Sequence, residues 1–68
     1  MTVFAERLLE LRREKQLSQA QLAKLIGSSN GTITYWESNH SEPTASYLVK
    51  LADVFGVSVD YLLGRAEF

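Results

Sequence analysis

The stretch that decides the fold is Gln19-Ala20-Gln21-Leu22-Ala23-Lys24-Leu25-Ile26-Gly27-Ser28-Ser29-Asn30-Gly31-Thr32-Ile33-Thr34-Tyr35-Trp36-Glu37. Its first half carries the start and stop signals of a helix. Ser18 stands before it as an N-cap, and Gln21, three residues on, completes a capping box. Leu17 and Leu22 flank the cap as a hydrophobic staple, and Leu22, Leu25 and Ile26 supply the expected buried face. Gly27 ends the helix where the chain needs a positive φ. The second half is ambiguous alone. Asn30-Gly31 is a strong hairpin signal, and Thr32, Ile33, Thr34, Tyr35 and Trp36 favour strands. A hairpin needs an alternating strand on both sides of its turn, however, and upstream lies a helix end. The expectation is therefore a short helix from Asn30 to Glu37, capped by Ser28 or Ser29 and burying Ile33 and Trp36. Gly31 costs such a helix about 1 kcal/mol relative to alanine.

Working outward, Thr2 is the expected cap of a first helix. Phe4, Leu8 and Leu11 form its stripe at i, i+4, i+7, with Leu9 beside them. Glu6, Arg7, Glu10, Arg12, Arg13 and Glu14 read as a mixed, solvated face. Downstream, residues 38–43 form a polar loop in which Asn39 suits a left-handed helix end and Pro43 blocks continuation. Thr44 caps a fourth helix with the stripe Leu48, Leu51, Ala52 and Phe55, ended by Gly56. Ser58 caps a fifth, with Asp60 in its first turn, Val57 and Leu62 as a staple, and Gly64 at its end. The expected fold is all-α: one domain over residues 1–68, a compact five-helix bundle.

Composition narrows the function. The 68 residues contain no cysteine, which excludes disulfides and thiolate metal sites. His40 is the sole histidine and cannot build a metal site alone. No metal, cofactor or small-molecule ligand is expected. Catalysis has no support either: the serines are explained as caps, and the four glycines form no phosphate-cradling loop. No apolar run approaches the roughly 18 residues of a membrane span, and Met1–Arg7 lacks a signal-peptide layout, so a cytoplasmic protein off the membrane is expected. The net charge of −1 points away from nucleic acid, because phosphate neutralisation normally requires a basic excess. Between Ser28 and Ser46 there is no lysine or arginine at all.

The local pattern points the other way. Counted from Gln19, two closely crossing helices need a small residue at the fifth position, which is Ala23. They need tolerance of positive φ at the ninth, which is Gly27. The fourth, eighth, fifteenth and eighteenth positions should be apolar, and they are Leu22, Ile26, Ile33 and Trp36. The tenth, usually apolar too, is Ser28. This is the spacing of a helix-turn-helix. With Leu8-Leu9-Glu10-Leu11-Arg12, Leu17-Ser18-Gln19, Trp36-Glu37, Glu42-Pro43 and the run from Leu51 to Gly64, the chain resembles the Cro/CI-like (XRE-type) regulators. These include the DNA-binding domains of lambdoid phage repressors.

The resemblance implies a five-helix fold and assigns roles by position. Asn30 falls where the family places a base-reading glutamine, and asparagine suits bidentate contact with adenine. Gly31 and Tyr35 take the next two base-facing positions. Gln19 matches the glutamine that contacts phosphate and braces the first recognition residue, and Arg12 and Glu37 match positions that pair in some relatives. Ser29, Thr32, Ser38, Asn39, His40 and Ser41 can add hydrogen bonds to the DNA backbone. Each has a plainer alternative. Asn30 is also a good helix-start residue, and His40 reads first as an exposed loop histidine and only secondarily as a phosphate contact that strengthens at low pH. The implied partner is a palindromic double-stranded DNA operator bound by a homodimer, with the fifth helix and the Phe68 end as candidate contacts. The implied activity is transcriptional regulation, most readily repression. A protein-interaction module or antirepressor on the same fold is the rival, favoured by the near-neutral charge.

Overall fold

Five helices run through residues 2–67, the part of the chain that the computed structural model describes: α1 (Thr2–Glu14), α2 (Gln19–Ile26), α3 (Asn30–Glu37), α4 (Ala45–Phe55) and α5 (Val59–Leu62). There is no strand among the described residues, so the Asn30-Gly31 hairpin is not formed. Phe4, Leu8, Leu22, Ile26, Ile33, Leu51 and Leu62 are each at most 2% exposed, and together they come from all five helices. Leu11, Ala23, Trp36, Ala52 and Phe55 complete the core. Phe4 and Tyr47 meet Trp36 edge-on, with ring centroids 6.4 and 5.4 Å away.

The helix starts follow from side-chain caps. Ser18 Oγ accepts from Gln21 N–H at 3.0 Å, and Gln21 Oε1 accepts from Ser18 N–H at 2.7 Å, closing the capping box. Ser29, rather than Ser28, caps α3, and Thr44 and Ser58 cap α4 and α5. At the first helix the expectation needs correcting. α1 already includes Thr2, so that position lies within the helix and not at its cap.

All five helices close in one way. A backbone N–H reaches back five residues, as in Leu17 to Arg12, Ser28 to Ala23, His40 to Tyr35, Val57 to Ala52 and Arg65 to Asp60, at 2.8–3.1 Å. The residue before each donor is left-handed: Gln16, Gly27, Asn39, Gly56 and Gly64. These are Schellman closures, which satisfy otherwise orphaned carbonyls. Gln16 is the exception to the usual chemistry, since a long side chain bears φ +56° there.

Two further expectations are corrected. Leu25 is 59% exposed and takes no part in the core. At about 100° per residue, the buried arc of α2 runs through Leu22, Ile26 and Ala23, and Leu25 falls outside it. Nor is the charged side of α1 merely solvated. Arg7 lies over the Tyr61 ring, 4.2 Å from its centroid, and donates to the carbonyls of Tyr61 and Ala66, fastening the segment after α5 to α1.

Candidate nucleic-acid interface

The two faces of α3 follow from its helical period. Ile33 and Trp36 point inward, 0% and 3% exposed. Asn30, Gly31, Thr34, Tyr35 and Ser38 lie on the opposite arc, and all five are exposed. Tyr35 is 59% exposed, so its ring and hydroxyl face solvent. The Asn30 side chain makes no hydrogen bond among the described residues, so its amide is available to an incoming partner. A Cβ built on Gly31 meets nothing within 4 Å. No packing requirement therefore explains that glycine.

α3 is held rigidly from behind. Glu37 at its last turn accepts from Arg12 through both oxygens, Nε to Oε2 at 2.6 Å and Nη2 to Oε1 at 3.0 Å. Arg12 also donates through Nη1 to the Leu17 carbonyl at 2.9 Å, closing the end of α1. The side chains of Arg12 and Glu37 are only 13% and 7% exposed. The hydrogen bond that Arg12 donates to Glu37 raises the guanidinium above its usual pKa, outweighing the opposing effect of burial. Gln19, the first residue of α2, uses both ends of its amide: Nε2 donates to Glu37 Oε1 at 3.0 Å, and Oε1 accepts from Thr34 Oγ1 at 2.8 Å. The network thus joins α1, α2 and α3 through a bidentate, charge-assisted pair. Among the described residues every buried side-chain nitrogen and oxygen has a hydrogen-bond partner.

The remaining expected residues are placed as follows. Ser29 caps α3 by accepting from Thr32 N–H at 3.2 Å, and the two hydroxyls lie 2.8 Å apart. Ser38, Asn39, His40 and Ser41 follow α3 on the exposed surface, and the His40 ring leans on Tyr35 with centroids 6.0 Å apart. The end of α2, at Ile26 and Gly27, is held from α4. Tyr47 donates its hydroxyl to the Gly27 carbonyl at 3.3 Å, and Lys50 donates to that of Ile26 at 3.5 Å. Phe68, named for a dimer contact, lies outside the described residues.

Gln19 braces Thr34 and Glu37, not Asn30 as the resemblance implied. Thr34 was missed. Its signal was available, because Asn30, Thr34 and Glu37 recur at i, i+4, i+7 and form a polar stripe beside the apolar one. Tyr47 was missed as well, and its partner is a backbone carbonyl, which leaves no mark in the sequence.

A family model for the helix-turn-helix matches residues 8–62. The chain belongs to the helix-turn-helix family. Within that family it is similar to HTH-type transcriptional regulator AnsR of Bacillus subtilis, 40% identical over 62 residues that make up 91% of this chain and 53% of AnsR. It is similar to repressor protein C2 of Salmonella phage P22, 36% identical over 90% of this chain and 28% of that protein. The crystal structure of the P22 c2 repressor with a synthetic operator superposes at a TM-score of 0.88, with 35% identity, covering 93% of this chain and 96% of that one. These matches bear out the all-α helix-turn-helix fold and the XRE-type resemblance. The same helix-turn-helix unit also matches hydroxypropylphosphonic acid epoxidase from S. wedmorenis at a TM-score of 0.81 and 35% identity, over 90% of this chain and 32% of that one. The chain spans about half, or less, of the curated relatives it matches. Among the described residues no helix is long and apolar enough to cross a membrane.

Proposed function

We propose that this chain is the DNA-binding unit of a cytoplasmic transcriptional regulator, a repressor rather than an enzyme, that lays α3 in the major groove of double-stranded DNA. The observation that carries it is the exposed arc of Asn30, Gly31, Thr34 and Tyr35, fixed from behind by Gln19, Glu37 and Arg12. The likeness to an operator-bound repressor supports the same reading. Asn30 reads a base edge, Tyr35 makes an apolar or hydroxyl contact one turn on, and Gly31 lets the helix backbone approach the groove. Gln19, Ser29, Thr32, Asn39, His40 and Ser41 contact the sugar-phosphate backbone, together with the N–H groups at the starts of α2, α3 and α4. The single domain spans residues 1–68.

The longest dimension of one copy is 27 Å, shorter than the roughly 34 Å between half-sites one helical turn apart. One copy then covers one half-site, and the reading has two copies sharing a palindromic operator. The test is selection of bound sequences from a random duplex library at low salt. A palindromic motif with half-sites one turn apart is expected, and Asn30→Ala should lose about 1–3 kcal/mol at one base position. Uniform weakening at every sequence would remove Asn30 from base readout.

A second reading has an observation in its favour. The absence of lysine and arginine from residue 28 to 46 suits a protein-binding face, and the same fold stands inside an enzyme chain. Failure of the folded, concentrated protein to enrich any duplex would select that reading.

A further inference from the structure

The end of α3 carries a hydrogen-bond arrangement that the proposed function leaves unused. Ser38 Oγ lies 2.8 Å from the Thr34 carbonyl oxygen, 3.3 Å from that of Tyr35 and 2.8 Å from His40 Nδ1. A serine hydroxyl has one proton and two lone pairs. Two oxygens held at 2.8 Å without a proton between them repel each other, so the hydroxyl proton belongs on the Thr34 carbonyl. Ser38 can then only accept from His40, and Nδ1 must carry a hydrogen. In the neutral imidazole that leaves Nε2 as a bare lone pair, without a partner among the described residues.

The position matters because of what surrounds it. His40 ends the Schellman closure of α3, with its N–H on the Tyr35 carbonyl at 2.9 Å and its ring against Tyr35. It therefore stands at the edge of the exposed arc of α3. Between Ser28 and Ser46 it is the one residue able to carry positive charge. The other titratable groups near it are Tyr35, whose ring it touches, Glu42 in the same loop, and Glu37, whose carboxylate is held by Arg12 and Gln19. From α4, Lys50 is turned to the Ile26 carbonyl.

Resting on the proposed DNA-binding function, we infer that His40 is a proton-dependent phosphate-binding residue whose tautomer is set by Ser38 as a positioning residue. A phosphodiester oxygen accepts and never donates, so it cannot pair with a bare Nε2. Neutral His40 thus offers the DNA backbone nothing. When Nε2 takes up a proton, the ring becomes a cation with an N–H aimed outward, and a charge-assisted hydrogen bond to phosphate forms. Binding one half-site and protonating one His40 are then linked, and each promotes the other. The sign follows directly: operator affinity rises as pH falls. Ser38, donating inward and accepting from His40, has no proton left for phosphate, so it leaves the set of backbone contacts.

Two measurements test this. In the free protein at about pH 8, imidazole nitrogen and carbon-bound proton NMR correlations should report the Nδ1–H tautomer for His40. Ser38→Ala should return the ring to the Nε2–H form. In the second, operator affinity is measured from about pH 8 to about pH 5.5, the range across which imidazoles protonate. The wild-type protein should gain about tenfold per half-site relative to His40→Gln, whose profile carries the pH dependence of all other groups. Ser38→Ala should bind more tightly than wild type at the alkaline end and respond less to acid, because its neutral imidazole can donate. An Nε2–H tautomer in the free wild-type protein, or matching profiles for wild type and His40→Gln, overturns the inference and leaves DNA binding intact. Absence of duplex binding at every pH overturns both.

Discussion

Arg12 and Glu37 stand 2.6 Å apart at their nearest atoms, 25 residues apart in sequence, and tie the last residue of α3 to α1. The pair orients the exposed helix rather than merely adding to stability. Removing one partner strands the other charge in a site less than a seventh exposed. Arg12→Met or Glu37→Leu should each cost about 2–4 kcal/mol in denaturant unfolding. The double variant should cost clearly less than the sum of the two. Simple additivity would show that the two side chains do not depend on each other.

At the end of α1, Gln16 holds a left-handed conformation in a closure where three of the other four helices use glycine. A long side chain is disfavoured there by roughly 1 kcal/mol. Gln16→Gly should therefore raise stability by about that much, even though glycine loosens the unfolded chain. A fall in the unfolding midpoint would show that the Gln16 side chain contributes more than its backbone strain costs.

Gly31 separates stability from binding. With nothing near its missing Cβ, Gly31→Ala should stabilise the fold by about 0.5–1 kcal/mol through helix propensity. The same methyl group stands where α3 would approach a base edge, so operator affinity should fall. Thermal unfolding and a binding titration on one preparation check both signs. A variant that is more stable and binds equally well would refute close backbone approach at this position.

Arg7 joins residues 54 and 59 positions away, through two carbonyls and a ring face. Arg7→Met keeps the stem but loses both hydrogen bonds and the cation–π contact, and should cost about 1–3 kcal/mol. Hydrogen exchange should accelerate most in Leu63, Gly64 and Arg65, whose N–H groups close α5. Uniform acceleration over the whole chain would mean that Arg7 supports the core and not this segment.

The helix boundaries were legible because they are set by single residues with local chemistry. Ser18, Thr44 and Ser58 cap by accepting from a backbone N–H three residues on, and Gly27 and Gly56 supply the left-handed closure. Asn30–Glu37 was legible only by elimination, since its composition favours strands and tertiary burial of Ile33 and Trp36 decided the outcome. Leu25 was misread because i, i+3 spacing from Leu22 does not say on which side the buried arc lies. Ala23, about 200° from Leu25 around the helix, is buried, and the arc runs towards it. Arg7 and Tyr47 bind carbonyls, which every residue has, so no pattern of side chains could have pointed to them. Asn30, Gly31 and Tyr35 stand on the exposed arc where spacing and resemblance put them, while the target of Gln19 depended on Thr34.

The stretch from Ser28 to Ser46 presents helix ends, hydroxyls and amides in place of fixed cations. Adhesion to arbitrary duplex comes almost wholly from such cations, and a genome offers about 10⁶–10⁹ competing positions. If the chain binds DNA as proposed, this surface would hold arbitrary duplex weakly, and occupancy of the operator would follow the number of free molecules.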